Sequence, residues 1–152
     1  MLIYHLEFIE KYIDRDWSFN NLSFNKNITL EFIEKHIDRG WSFFHLTNHE
    51  NITLEFIEKH IDRDWSFYYL SINTNLTIEF IEKHIDKDWN YGVMNDDDYD
   101  DDDEDDYGLS GNKLLTIKLI EKFPTKPWSF NIISYNPALT TEMLEKFPNK
   151  PW

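Results

Sequence analysis

The sequence has no cysteine, which excludes disulfides and thiolate-held metals and leaves the redox compartment open. It has no run of apolar residues approaching the ~20 that a membrane-crossing helix needs. Its first residues, Met1-Leu2-Ile3-Tyr4-His5-Leu6-Glu7, lack the basic and long apolar regions of a secretory signal, so an intracellular, non-secreted protein is expected. No cluster of lysine or arginine offers a surface that would track phosphates, which argues against nucleic acid as a partner. Outside one acidic run, every serine, aspartate and glutamate recurs at a fixed phase, and no nucleophile–base constellation stands out. No catalytic residue, cofactor site or metal site is expected.

The net charge of -14 is mostly local. Asp96, Asp97, Asp98, Asp100, Asp101, Asp102, Asp103, Glu104, Asp105 and Asp106 supply ten acids without a base, and the rest of the chain carries only -4. Aromatic residues are plentiful at 17%, and 152 residues suffice for one folded domain.

What the sequence has above all is a repeat. TLEFIEKHIDRGW, TLEFIEKHIDRDW and TIEFIEKHIDKDW open at Thr29, Thr53 and Thr77. HLEFIEKYIDRDW precedes them at His5, and TIKLIEKFPTKPW and TTEMLEKFPNKPW follow at Thr116 and Thr140. The first four starts lie 24 residues apart; the step from Thr77 to Thr116 is 39, so 15 residues are inserted there. All six tryptophans, Trp17, Trp41, Trp65, Trp89, Trp128 and Trp152, share one phase.

Each copy reads as two pieces. Leu30, Ile33 and Ile37 fall at helical spacing, with Phe32 and His36 widening the same face. Thr29 is placed to cap that helix, which should end near the Asp-Arg-Gly-Trp turn, or at proline in the last two copies. The second piece, WSFNNLSFN and its counterparts, fits a brief helix or a short strand.

The pattern Leu-Ser-x-Asn, Ile/Leu-Thr-x-Glu-Phe-Ile and Asp-x-Asp-Trp resembles the short Trp/Asn-rich tandem repeats of proteins from amoeba-infecting giant DNA viruses. More loosely it resembles the leucine-rich variant repeat, in which short 3₁₀ helices alternate with α-helices. The resemblance covers about 135 of the 152 residues and lapses in the insert. It implies an all-α solenoid of stacked 24-residue helix–turn–short-helix repeats, one domain over residues 1–152, with an acidic insertion loop at 93–113 in the fourth copy. It also implies a setting in host cytoplasm or virion. The alternative is a leucine-rich-repeat α/β solenoid, in which Phe-x-x-Leu-Ser-x-Asn supplies a strand and an asparagine ladder; Asn20 and Asn131 spoil its apolar spacing.

In a stack, residues of equal phase form columns. The six tryptophans are expected to make one aromatic column, and Ile33, Ile57 and Ile81 an aliphatic one. Asp96–Asp106 with Tyr99 and Tyr107 suggests a contact for a basic protein surface, against the alternative of a solvated loop. A calcium loop starting at Asp98 fails, because glycine and glutamate are missing where that motif needs them. His36, His60 and His84 share a phase with Tyr12, Phe123 and Phe147, which points to ring packing rather than ligation. His49 stands where other copies have asparagine and is expected to serve the turn. The Asn-x-Thr triplets at Asn27, Asn51 and Asn75 read as turn and cap chemistry. The chain is thus expected to be a non-catalytic scaffold for a protein partner, or an assembly component that self-associates through open ends of the stack.

Overall fold

The computed structural model describes residues 3–92 and 107–152. The chain forms two compact units, Met1–Ser66 and Phe67–Trp152. Among the described residues every element is helical. The α/β alternative is therefore set aside: the segments it needed as strands are helices. No helix among the described residues is long and apolar enough to cross a membrane.

In the first unit, α1 (Ile3–Lys11), α3 (Leu30–Lys35) and α5 (Leu54–Lys59) are the repeat's first helices, and α2 (Phe19–Leu22) and α4 (Phe43–Leu46) its second. In the second unit, α7 (Ile78–Lys83), α9 (Ile117–Lys122) and α11 (Thr141–Lys146) are first helices, and α6 (Phe67–Leu70), α8 (Gly108–Gly111) and α10 (Phe130–Tyr135) second helices.

Caps at both ends fix these short helices. Thr29 Oγ1 accepts from the Phe32 amide at 3.2 Å, and Thr53, Thr77, Thr116 and Thr140 repeat the arrangement at 3.2–3.3 Å. The first helix ends two to three residues earlier than the apolar spacing suggests. A backbone turn and the tryptophan share the carbonyl at this end. Each indole Nε1 donates to the carbonyl five residues before it, at 2.8–3.0 Å, so that Trp41 takes His36 O and Trp65 takes His60 O. A carbonyl that a longer helix would have used is thereby satisfied within the copy.

Tryptophan also joins neighbouring copies. Its ring stands edge-on to the phenylalanine that opens the preceding copy's second helix: Phe19–Trp41 and Phe43–Trp65 in the first unit, Phe67–Trp89 and Phe130–Trp152 in the second, all at 5.0–5.1 Å. The aromatic packing between copies thus runs through tryptophan–phenylalanine pairs. Ile28, Ile33, Leu46 and Ile57 form the aliphatic core of the first unit; Leu70, Ile81, Leu109, Ile120, Ile133 and Met143 form that of the second.

A buried hydroxyl sets the register between copies. Ser23 Oγ donates to Phe19 O and accepts from the Ser42 amide of the next copy at 2.9 Å. Thr47 does the same between Phe43 O and the Ser66 amide, at 2.9 and 3.1 Å. In the second unit Ser71 receives the Asn90 amide and Ser110 the Ser129 amide, both at 2.9 Å.

The asparagine two residues later works beside it. Asn136 Oδ1 accepts from its own turn at Ala138 N, while Nδ2 donates to Ser110 O and Asn112 O. Asn112 bridges to Ser71 O in the same way. His49 substitutes by using both ring nitrogens: Nε2 faces Asn25 O at 3.0 Å and Nδ1 the Asn51 amide at 3.4 Å. A carbonyl on one side and an amide on the other assign the proton to Nε2.

The fourth copy accommodates the insert without losing its core. Of the 93–113 segment expected to be loop, the described residues 107–113 belong largely to the repeat: Leu109 and Ser110 are buried and stand 39 residues after Leu70 and Ser71. The insert therefore enters inside the second-helix element, between Tyr91 and Leu109. The chain leaves and re-enters at one point, where Leu109 N donates to Asn90 O at 2.8 Å. Gly92 (φ 77) and Gly108 (φ 52) make this crossing possible: a Cβ on either would collide with the carbonyl of Tyr107 or Asn90, respectively.

Tyr91 takes the phase held by Phe67 and packs 5.0 Å from Trp128. Its hydroxyl is buried without a hydrogen-bond partner among the described residues. Burial, and secondarily Asp86, pushes its pKa up to about 12. Tyr91→Phe removes the unsatisfied hydroxyl and keeps the ring, so denaturant unfolding should show no loss of stability and a gain of up to about 1 kcal/mol. A loss above 1 kcal/mol would mean that the hydroxyl has a partner.

Candidate interaction surface

Once core, caps and pins are assigned, the positions that vary from copy to copy remain. Most lie on the second helices, three, four and seven residues after the tryptophan: Asn20, Asn21 and Phe24; Phe44, His45 and Asn48; Tyr68, Tyr69 and Ile72; Asn131, Ile132 and Tyr135. Several are large, apolar and exposed. Phe24 is 58% exposed, Phe44 46%, Tyr68 46% and Tyr135 80%. In the first unit the His45 ring lies 4.0 Å from Phe24 and 5.2 Å from Phe44, tying successive second helices into one patch. His45 Nδ1 is hydrogen-bonded with Ser42 Oγ at 2.7 Å. In the second unit Tyr68 and Tyr69 meet edge-on at 5.5 Å, and Ile72, Tyr107 and Tyr135 are also exposed.

The first helices carry a different surface, made of ion pairs between consecutive copies. Glu10 reaches Lys35 and His36, and Glu34 reaches Lys59 (2.5 Å) and His60 (3.1 Å). Lys122 pairs with Glu82 at 2.8 Å and Lys146 with Glu121. The histidines at this phase therefore pack beside Phe32 and Phe56 and also face a carboxylate of the copy before. The lysine hydrogen bond first, then the histidine, holds Glu10 and Glu34 below the ordinary carboxylate pKa.

A lowered native pKa means stability that is present above the unfolded value of 4.5 and is lost as pH falls through the folded value. Glu34→Gln should therefore lower stability at pH 7 by a few tenths of a kcal/mol, the scale of an exposed pair. The difference should shrink in paired thermal melts as acid protonates the folded carboxylate; a gap that does not change with pH would show that the side chain acts by packing.

The sequence-predicted tryptophans fall inside the structure: Trp41, Trp65, Trp89 and Trp128 are buried, and Trp17 and Trp152 half-buried. Asp96–Asp106, with Tyr99, lie outside the described residues. Tyr107 is described; it is exposed and joins Ile72, Thr74 and Asn112 around a cleft of about 210 Å³. His45 and His49, four residues apart, are engaged separately with Ser42 and with the backbone of residues 25 and 51. No group of three or more metal-ligating side chains occurs among the described residues. Sequence reasoning missed the exposed aromatic positions, although a comparison of the copies by phase would have separated them from the constant ones. No family model, curated protein or solved structure matches the chain.

Proposed function

We propose that this chain is a non-catalytic repeat scaffold, its copies stacked as an α-solenoid, that binds a protein partner through the variable aromatic positions of its second helices. The observation that carries this reading is the division of labour within each copy. Tryptophan, the core aliphatics, the buried hydroxyl and the asparagine recur and are consumed by packing. The exposed aromatics vary from copy to copy and leave a large part of their rings open to solvent. Large rings on short, rigid helices supply contact area at low entropic cost, the property of interface anchors. The resemblance to giant-virus repeats supports a viral source and an intracellular setting, in host cytoplasm or virion. Asp96–Asp106 adds an electrostatic contact for a basic region of the partner.

Affinity capture from the native context tests this with three baits. The wild-type chain should retain a partner. A chain carrying Phe24→Ser, Phe44→Ser, Tyr68→Ser and Tyr69→Ser should lose it while keeping its helical circular dichroism. Deletion of Asp96–Asp106 should weaken capture and its salt dependence. Capture that survives the four serine substitutions sinks the proposal.

A further inference from the structure

The segments that follow the first helix in copies 5 and 6 differ in chemistry from those before them. Copies 3 and 4 place Asp62-Arg63-Asp64 and Asp86-Lys87-Asp88 before the tryptophan, two carboxylates around one cation. Copies 5 and 6 keep the cation and lose both acids: Thr125-Lys126-Pro127 and Asn149-Lys150-Pro151. Between these two loops lies a groove of about 370 Å³, walled by Pro124, Pro127, Phe147 and Pro151 and reached by Lys126 and Lys150.

Both cations have one weak contact within the chain. Lys126 Nζ stands 3.4 Å from Asp86, whose side chain is 96% exposed, a pairing easily exchanged for another. Lys150 is exposed and lies 5.0 Å over the Phe130 ring. The prolines fix the loop backbone, so little ordering is required on binding. Residues 113–152 as a whole carry six lysines against three glutamates, in a chain whose total is -14.

We propose that this groove receives the acidic run Asp96–Asp106 of a second copy of the chain. Its carboxylates would meet Lys126 and Lys150, and Tyr99 would lie against the proline and phenylalanine walls. Charge complementarity selects this occupant: the same sequence holds a run of ten acids without a base and a net-cationic segment bordering an apolar groove. Run and groove are different surfaces, so the contact is heterologous, and association continues beyond a pair unless the geometry closes. Two chains of charge -14 repel at long range. At 0.15 M salt the Debye length of ≈ 8 Å screens that repulsion more than it weakens contacts at ~4 Å, whereas at 1 M both are suppressed. Association should therefore peak at intermediate salt.

Sedimentation velocity on the full chain over a hundredfold concentration range, at several salt concentrations, tests this. Concentration-dependent growth is expected, dissolved by excess synthetic peptide of residues 94–106 and weakened roughly tenfold or more by Lys126→Glu with Lys150→Glu. Lys126→Gln with Lys150→Gln gives a milder version should charge reversal disturb the fold, which melting curves will show. A monomer at every concentration and salt overturns the proposal, as does assembly indifferent to the glutamine pair or to the peptide. Partner capture shares Asp96–Asp106 with this contact but uses neither Lys126 nor Lys150, so the lysine substitutions test self-association alone and the two readings can fail separately.

Discussion

Trp65→Ala should destabilise the chain by about 3–5 kcal/mol, the largest single effect expected outside glycine positions. Trp65 is buried, its ring meets Phe43 at 5.0 Å and Phe56 at 6.1 Å, and its Nε1 serves the His60 carbonyl at 2.8 Å. Truncation leaves a cavity between copies and removes one of the two hydrogen bonds to the His60 carbonyl, which keeps the Arg63 amide at 3.1 Å. Trp65→Phe separates the two contributions: it retains part of the volume, loses the hydrogen bond, and should cost about half as much. Trp152→Ala should cost less than Trp65→Ala, because Trp152 is only half-buried although its hydrogen bond and its phenylalanine contact are the same in kind. Urea unfolding of the three variants gives the comparison. Equal losses at Trp65 and Trp152 would mean that burial between copies is not what stabilises the tryptophan.

Thr47→Val tests the register pin with almost no change of shape. The threonine is 2% exposed, and its hydroxyl both donates to Phe43 O and accepts from the Ser66 amide. Valine leaves that amide unsatisfied in a buried site, at a cost of about 1–3 kcal/mol. Thr47→Ser keeps both hydrogen bonds and should recover most of the loss, minus one methyl group. If valine is tolerated and serine destabilises, the methyl matters and the hydrogen bonds do not. Amide exchange at Ser66 offers a second readout: it should accelerate in the valine variant and stay protected in the serine variant.

Both predictions concern residues whose importance could be seen by phase before their role could be seen at all. Six tryptophans at one phase announce a structural position, and the 24-residue spacing announces repeating units. Whether a tryptophan stacks on its own kind, or reaches across to a phenylalanine while capping its own helix, depends on where the backbone places the indole. Periodicity does not contain that information. The same holds for the serine or threonine of the Leu-Ser-x-Asn element. Its neighbours in sequence suggest turn chemistry, yet its second hydrogen bond goes to an amide 19 residues away. His49 was legible as an asparagine surrogate because it stands in the asparagine's place; the means, one ring nitrogen for each of the asparagine's two functions, needed coordinates.

The candidate surface divides in the same way. Phe24, Phe44, Tyr68 and Tyr69 look in sequence like any other aromatic residue of an aromatic-rich chain. Exposure distinguishes them, and exposure follows from which side of a four-residue helix faces the core. A helix of barely one turn has too few positions to define an apolar stripe by itself, so only packing against the neighbouring copies decides its orientation.

The sequence alone therefore determined the unit, its length, its number of copies, the capping threonine and the site of the acidic insert to within a few residues, because each is a local or periodic property. Tertiary structure alone decided that the second piece is helical rather than extended. It also decided that the copies are pinned by buried hydroxyls, amides and edge-on rings, and that Gly92 and Gly108 close the base of the insert. These are contacts between residues distant in sequence, and their energies depend on positions that a pattern of residue types leaves open.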